Sequence, residues 1–368
     1  MTQDVLGTSG LSGTVARPAL DYSLTGADTE RARAAGLVNA QWYQTEVPRK
    51  VMKDLMQRRD GPALRDTAIW ILLHVLFAWG GIAFWGSSWA VPFWAAYGVI
   101  YGSACDSRWH ECGHGTAFRT QWMNDVVYQI ASFQVVRNPV TWRWSHARHH
   151  TDTIIVGRDP EIACMRPPGL FKLLVAYAGV YGMWESMVAL GRHALGRLSD
   201  GEKDYIPESE WPKAIRVARI HMAVYAATLA AALAWQSWIP LLLIGGPRIY
   251  GAWHMIMTGL IQHCGLDENV TDHRLNSRTV YMNPLSRWIY WNMNYHVEHH
   301  MFPMVPYHAL PRLHEAIRHD LPAANPSIWD AHREALPAVL RQSRELDYAF
   351  RKPLPPTARP YQERPDHG

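Results

Sequence analysis

Long stretches without a charged side chain dominate the hydropathy pattern of this chain. Thr67 to Cys105 is 39 residues without Asp, Glu, Lys or Arg, Ile220 to Pro247 is another 28, and Ile249 to Leu266, beyond a lone Arg248, adds 18. A bilayer-spanning helix needs about 20 mostly apolar residues. The first stretch therefore predicts two spans joined by a tight turn near Gly86-Ser87-Ser88, and the second region another pair turning between Ile244 and Pro247. The competing arrangement is a helical hairpin buried in a large soluble core, which fits uncharged runs of this length poorly. Residues 169–195 are also apolar, but Lys172, Glu185 and Arg192 interrupt them. That pattern suits a helix lying on the membrane surface, with a further span as the alternative.

The expected fold is thus all-α and integral to a membrane: about four transmembrane helices in two hairpins, with a cytoplasmic helical cap. Residues 1–66 form an N-terminal cytoplasmic tail and helix, 67–320 the membrane domain, and 321–368 a C-terminal cytoplasmic tail. The first 25 residues are rich in Gly, Ser and Thr and read as a loose tail, and the Pro-rich end (Pro353, Pro355, Pro356, Pro360) as one that extends or frays. No repeat of solenoid period appears. Basic residues precede the first run (Arg49, Lys50, Lys53, Arg58, Arg59) and cluster ahead of the second (Arg192, Arg197, Lys203, Lys213, Arg216). By the positive-inside rule these segments face the cytoplasm. The polar start Met1-Thr-Gln-Asp-Val carries no signal-peptide pattern, so the first apolar run would direct insertion. Each hairpin returns the chain to the side it left, so segments 106–168 and 267–320 share the cytoplasmic face. The Ala-, Arg- and Trp-rich composition points to a bacterial inner membrane.

Average composition would have hidden this. The apolar share of 48% and the mean hydropathy of −0.19 are those of a soluble protein. The 18 tryptophans are not, and Trp85, Trp89, Trp94, Trp235 and Trp238 fall at run ends, where an indole sits half buried at the bilayer interface. The net charge of +4 comes from scattered Lys and Arg without a basic, aromatic-interleaved patch, which argues against a nucleic-acid partner. The four cysteines form no Cys-x-x-Cys, excluding a zinc ribbon, a rubredoxin centre and a disulfide framework.

The 19 histidines are clustered. His110-Glu-Cys-Gly-His114, His146-Ala-Arg-His149-His150 and His296-Val-Glu-His299-His300 each place imidazoles at i, i+3 or i+4, one face of a helix. Neutral imidazole is a good ligand for iron, copper, zinc and nickel. One H-x-x-x-H alone is a weak signal. Two H-x-x-H-H clusters beside it, all expected on one side of a membrane, point to metal. Eight imidazoles are too many for one tetrahedral zinc and suit two metals. His263, expected where the second hairpin re-emerges, is a ninth candidate. His74 reads as a mid-span packing residue, His221 and His254 as interfacial or core, and His308, His314, His319, His332 and His367 as tail residues. His273 fits either role.

In order and spacing these clusters resemble the membrane fatty acid desaturase and hydroxylase superfamily. His110-Glu-Cys-Gly-His114-Gly-Thr-Ala-Phe118 is similar to its first box, and Asn294-Tyr-His-Val-Glu-His-His-Met-Phe-Pro303, followed by Pro306, Leu310, Pro311, Leu313 and His314, to its third. The middle box, H-x-x-H-H, favours the desaturase branch over alkane hydroxylases. The resemblance spans roughly residues 67–320. It implies two non-haem iron ions as cofactor, dioxygen as co-substrate, and attack on an unactivated C–H bond. The implied ligands are His110, His114, His146, His149, His150, His296, His299 and His300, with His263 as the extra histidine after the last span. Two features depart from the family pattern, and both bear on the substrate: Gly115 where many first boxes carry another His, and the stretch Arg158-Asp159-Pro160-Glu161.

Glu111, Asp152, Asp159, Glu161, Asp267 and Glu298 are candidates to accept imidazole N–H bonds. The chain has no Cys-x-x-Cys, Rossmann glycine fingerprint or haem-attachment motif, so electrons must come from a ferredoxin, rubredoxin or cytochrome-type donor. Arg143, Arg148 and Arg158 could offer it a basic surface, or could simply pair with neighbouring carboxylates. The expected activity is fatty acyl or lipid desaturation. The alternatives are a hydroxylase or monooxygenase on the same scaffold, oxidation of a small polar amine or amino-acid derivative, and, from another class, a non-catalytic or zinc-dependent membrane receptor.

Overall fold

Apolar sequence becomes long helix where no Pro or Gly cluster interrupts it. Asp60–Ala83 is a continuous helix of 24 residues, and Trp211–Ala234 another of 24. With their leading turns, Arg49–Ala83 and Glu208–Ala234 are the two helices among the described residues that are long and apolar enough to cross a membrane. Leu72, Val75 and Trp79 on the first, and Leu229 and Leu233 on the second, face outward. Such rows of apolar side chains are unfavourable in water and at home in lipid. The computed structural model describes residues 20–362, and these contain no strand beyond two isolated bridges. The protein is an all-α membrane protein. The first 19 residues of the expected loose tail, and His367, lie outside the described residues.

The first hairpin forms where the sequence placed it. Gly86 supplies the left-handed backbone (φ +86°) that the turn requires, and the chain returns through Ala90–Gly102 into Ala104–Gly113. Trp85 and Trp89 stand exposed at the tip, whereas Trp94 packs into a buried cluster with Tyr97 and Tyr101 instead of facing the interface.

The second hairpin departs from expectation. Its turn comes at Trp235–Trp238, earlier than Ile244–Pro247. The return is no single helix but three short pieces, Ile239–Leu243, Pro247–Tyr250 and Trp253–Leu260. Pro240 and Pro247 each stand in the first turn of a piece, where a missing N–H is tolerated, and Gly245-Gly246 and Gly251 fall at the breaks. The broken path lets the chain press against the first hairpin. A Cβ on Gly251 would lie 1.8 Å from the Gly98 carbonyl oxygen, and Ser103 Oγ donates to the Gly251 carbonyl at 2.5 Å. The 169–195 region is a bent pair, Leu170–Ala176 and Val180–Ala194, meeting at 91° and exposing Phe171, Leu174 and Trp184.

Both flanks pack onto the histidine-bearing side. Tyr43 N donates to the Thr271 carbonyl, and Phe350 N to that of Gly265. The Pro-rich end is extended, as its composition requires, but it does not fray. Arg274 Nη1 donates to the Arg359 carbonyl at 3.1 Å and Nη2 to that of Pro360 at 3.0 Å. Arg274 also pairs with Asp272 and Asp320 at 2.7 and 3.1 Å.

Candidate metal centre

Four elements deliver the histidines. His110 lies on Ala104–Gly113 and His114 caps that helix. The Asn138 side chain accepts from Val140 N at 3.0 Å, and with Pro139 in the first turn it starts the Pro139–Thr151 helix, which carries His146, His149 and His150. The short His296–Met301 helix carries His296, His299 and His300. His263 sits in the turns just past Trp253–Leu260. None of the nine is exposed, and six are buried.

The nine ring systems converge in two adjoining groups. In the first, His110, His114, His146, His150 and His299 hold one nitrogen each within 4.8 Å of one another. His146 Nε2 is 2.9 Å from that of His110 and 3.1 Å from those of His114 and His150, and His110 Nε2 is 2.9 Å from that of His299. The second group is His149, His263 and His300. His296 joins it, its Nε2 lying 2.9 Å from that of His263 and 3.0 Å from that of His300.

Several rings have the other nitrogen engaged from outside. His146 Nδ1 donates to Glu161 at 3.0 Å, His149 Nδ1 to Asp159 at 2.8 Å, and His263 Nδ1 to the Asn276 carbonyl at 2.7 Å. A proton held at Nδ1 leaves Nε2 as a bare lone pair aimed inward, the tautomer a metal takes. Burial and the neighbouring imidazoles hold His110, His146, His150, His299 and His300 well below the usual histidine range, so they are neutral. His149 is the exception: burial pushes it down, but the Asp159 carboxylate outweighs burial and raises it. Where the proton is held at Nδ1, as at His146 and His263, the Nε2 lone pair faces neighbouring imidazole nitrogens at about hydrogen-bond distance. Each group could hold a metal ion, and nitrogen donors of this kind match the preference of first-row transition metals.

Of the six expected carboxylates, only Asp159 and Glu161 touch these imidazoles. Asp152 pairs with Arg158 at 3.1 Å and Asp267 with Arg351 at 2.9 Å. Glu111 accepts from Thr116 Oγ1 and Tyr307 N, and Glu298 from Thr279 and His314. His314 is therefore no plain tail residue: it is buried between Glu298 and the Tyr281 hydroxyl. His74 packs as expected, bridging the Trp70 carbonyl and Gln134. The expected basic surface is largely spent on ion pairs. Arg148 pairs with Asp204 and Asp152, Arg158 with Asp152, and Arg143 lies 3.7 Å from Asp125. Residues not foreseen also touch the centre. Gln262 Nε2 lies 3.2 Å from His296 Nδ1, Thr153 Oγ1 lies 3.3 Å from His300 Nδ1, and Trp142 stacks on His146 with ring centres 4.3 Å apart. Gln262 stands beside His263 in sequence and was the one most open to discovery.

Short stretches of this chain are similar to known desaturases. An omega-6 fatty acid desaturase of the endoplasmic reticulum from Glycine max is 34% identical over 77 residues, 20% of either chain. A Delta(12)-fatty-acid desaturase from Arabidopsis thaliana is 33% identical over 69 residues, 18% of either chain, and one from Caenorhabditis elegans 32% identical over 81 residues, 22% of this chain and 19% of the relative. The alignments thus cover only about a fifth of these relatives' lengths. The decisive match is broader: the sequence profile for fatty acid desaturases fits residues 85–332, most of the chain and all nine clustered histidines. The protein belongs to the fatty acid desaturase family.

Proposed function

We propose that the protein is an oxygen-dependent, non-haem di-iron enzyme that desaturates a fatty acyl chain. The observation that supports this best is the pair of adjoining imidazole groups, in which His146, His149 and His263 have Nδ1 tied outward. His110, His114, His146, His150 and His299 would hold one iron, and His149, His263, His296 and His300 the other. When bound, reduced and supplied with dioxygen, such a pair provides the oxidising power to break an aliphatic C–H bond. The chain's own residues position and shield. Asp159 and Glu161 fix ring orientation, and the Trp142 indole covers His146 and limits access of water. Electrons come from a ferredoxin, rubredoxin or cytochrome-type donor. The basic residues flanking the apolar runs support a cytoplasmic orientation of the histidines.

The test is metal content and product. Cells expressing the protein or its His149→Ala variant are compared by high-resolution mass spectrometry of lipid and polar extracts, and the purified protein is assayed for iron and oxygen uptake. A product short of two hydrogens, present only with the wild type, is expected. A product that gains one oxygen would make it a hydroxylase. Stoichiometric zinc without oxygen uptake would sink the reading.

A further inference from the structure

The cavity that reaches the histidines carries charge that a hydrocarbon chain does not need. It encloses about 700 Å³, and His110, His146 and His263 stand in its wall. That is an ordinary size for a small-molecule site, whose few polar groups fix what it binds. Four acidic side chains line it, Asp106, Glu161, Glu185 and Glu268, against four basic ones, Arg137, Arg166, Lys172 and Arg248.

Three of the acids are already engaged. Lys172 Nζ lies 3.3 Å from Glu185, Arg166 Nε lies 3.2 Å from Glu268, and Glu161 accepts from Ser145 and His146. Arg137 and Arg248 act on the Asp106 carboxylate electrostatically, and Arg137 also on that of Glu161, whose hydrogen-bond donors are uncharged. Among the described residues neither guanidinium forms a direct ion pair. Arg248 is only 4% exposed; its Nε reaches the Val135 carbonyl at 3.3 Å and its Nη1 has no acceptor. The Arg137 guanidinium lies over the Trp109 indole, 4.8 Å from the ring centre. What the two arginines lack is a direct anionic partner: the buried Arg248 Nη1 has no acceptor at all, a state that an anionic ligand in the cavity relieves.

We infer that Arg137 and Arg248 form a carboxylate-binding subsite inside the cavity, so that the substrate is a free aliphatic acid held by its head and not an acyl chain esterified to a lipid. The planar guanidinium is suited to a carboxylate. This rests on the reading of the histidines as an oxidising centre, because it names what that centre acts on.

The iron-loaded protein in phosphatidylcholine nanodiscs is titrated with decanoate and with methyl decanoate, following tryptophan fluorescence and, separately, oxygen uptake. Decanoate should bind at least about tenfold more tightly than the ester, the scale of one charge-assisted pair. Arg248→Gln and Arg137→Gln should each reduce that preference to below about threefold with ester affinity unchanged, and Arg248→Lys should keep part of it. Equal affinity for acid and ester in the wild type overturns the inference, and so does a full preference in both Gln variants. The wild-type comparison decides alone if a variant does not fold. Oxygen uptake with equal binding leaves the desaturase reading standing without the subsite. A strong acid preference without iron-dependent uptake supports the subsite and removes the reaction.

Discussion

Asp159 shows how much of the centre rests on one side chain. Its Oδ2 accepts from His149 Nδ1 and from Ile154 N, both at 2.8 Å, while Oδ1 accepts from Glu161 N at 2.8 Å. One carboxylate therefore sets the tautomer of one histidine and shapes the loop that brings Glu161 to His146. Asp159→Asn puts an amide in place of the charge that keeps the His149 proton on Nδ1. Iron affinity or turnover should fall by about 10–100-fold, read as iron retained against a chelator and as product formed; unchanged iron retention and turnover would refute the role. The histidines themselves were legible because i, i+3 and i+4 spacing is a property of the helix. Asp159 and Asp152 were not separable by sequence, since the turns after Thr151, with Ile154 at positive φ, decide which carboxylate faces the rings and which faces Arg148 and Arg158. The Asn276 carbonyl left no signal at all, because any residue carries one.

Between helices, the joint from Val180–Ala194 to Asp200–Tyr205 is held by charge as well as packing. Ser199 and Glu202 form a capping box, and Glu202 Oε1 accepts from His193 Nε2 at 2.6 Å. Burial alone would raise the Glu202 pKa, but the bonds from His193 and Ser199 outweigh it and bring it from 4.5 to about 2. A carboxylate with a lowered folded-state pKa contributes stability that is complete above its unfolded pKa and lost as pH falls through the folded one. Glu202→Gln should therefore lower stability by about 1–2 kcal/mol near neutral pH. The gap from wild type should shrink as pH drops from 4.5 toward about 2. Thermal unfolding of both proteins in detergent across that window checks it, and a gap independent of pH would refute it. At this scale the first hairpin could be read from its turn residues. The second could not, because hydropathy averages over Pro240, Gly245-Gly246 and Pro247. Uncharged sequence shows that a segment can enter lipid; it does not show that the segment is one helix.

Across the whole molecule, the histidines join four stretches far apart in sequence, so a metal held by them would fasten the first hairpin to the second and to the segment beyond it. Without a metal, inward imidazole nitrogens of different elements face one another at 2.9 to 3.2 Å. Chelation should lower the unfolding midpoint by several degrees, by the linkage of a ligand that binds only the folded state. An identical midpoint with and without iron would show that the groups do not hold it. The all-helical membrane architecture was readable from charge-free runs alone. The tying-down of the Pro-rich end was not, because it depends on one buried arginine whose partners lie far away in sequence. That arginine also bears on the order of events during synthesis. Arg274 follows His273, whose ring centre is 5.1 Å from that of His300, and it draws carbonyls from residues 359 and 360. A ribosome delivers all nine histidines before it delivers those carbonyls. The nascent protein thus passes through an interval when all nine imidazoles have been made and this clasp is still open.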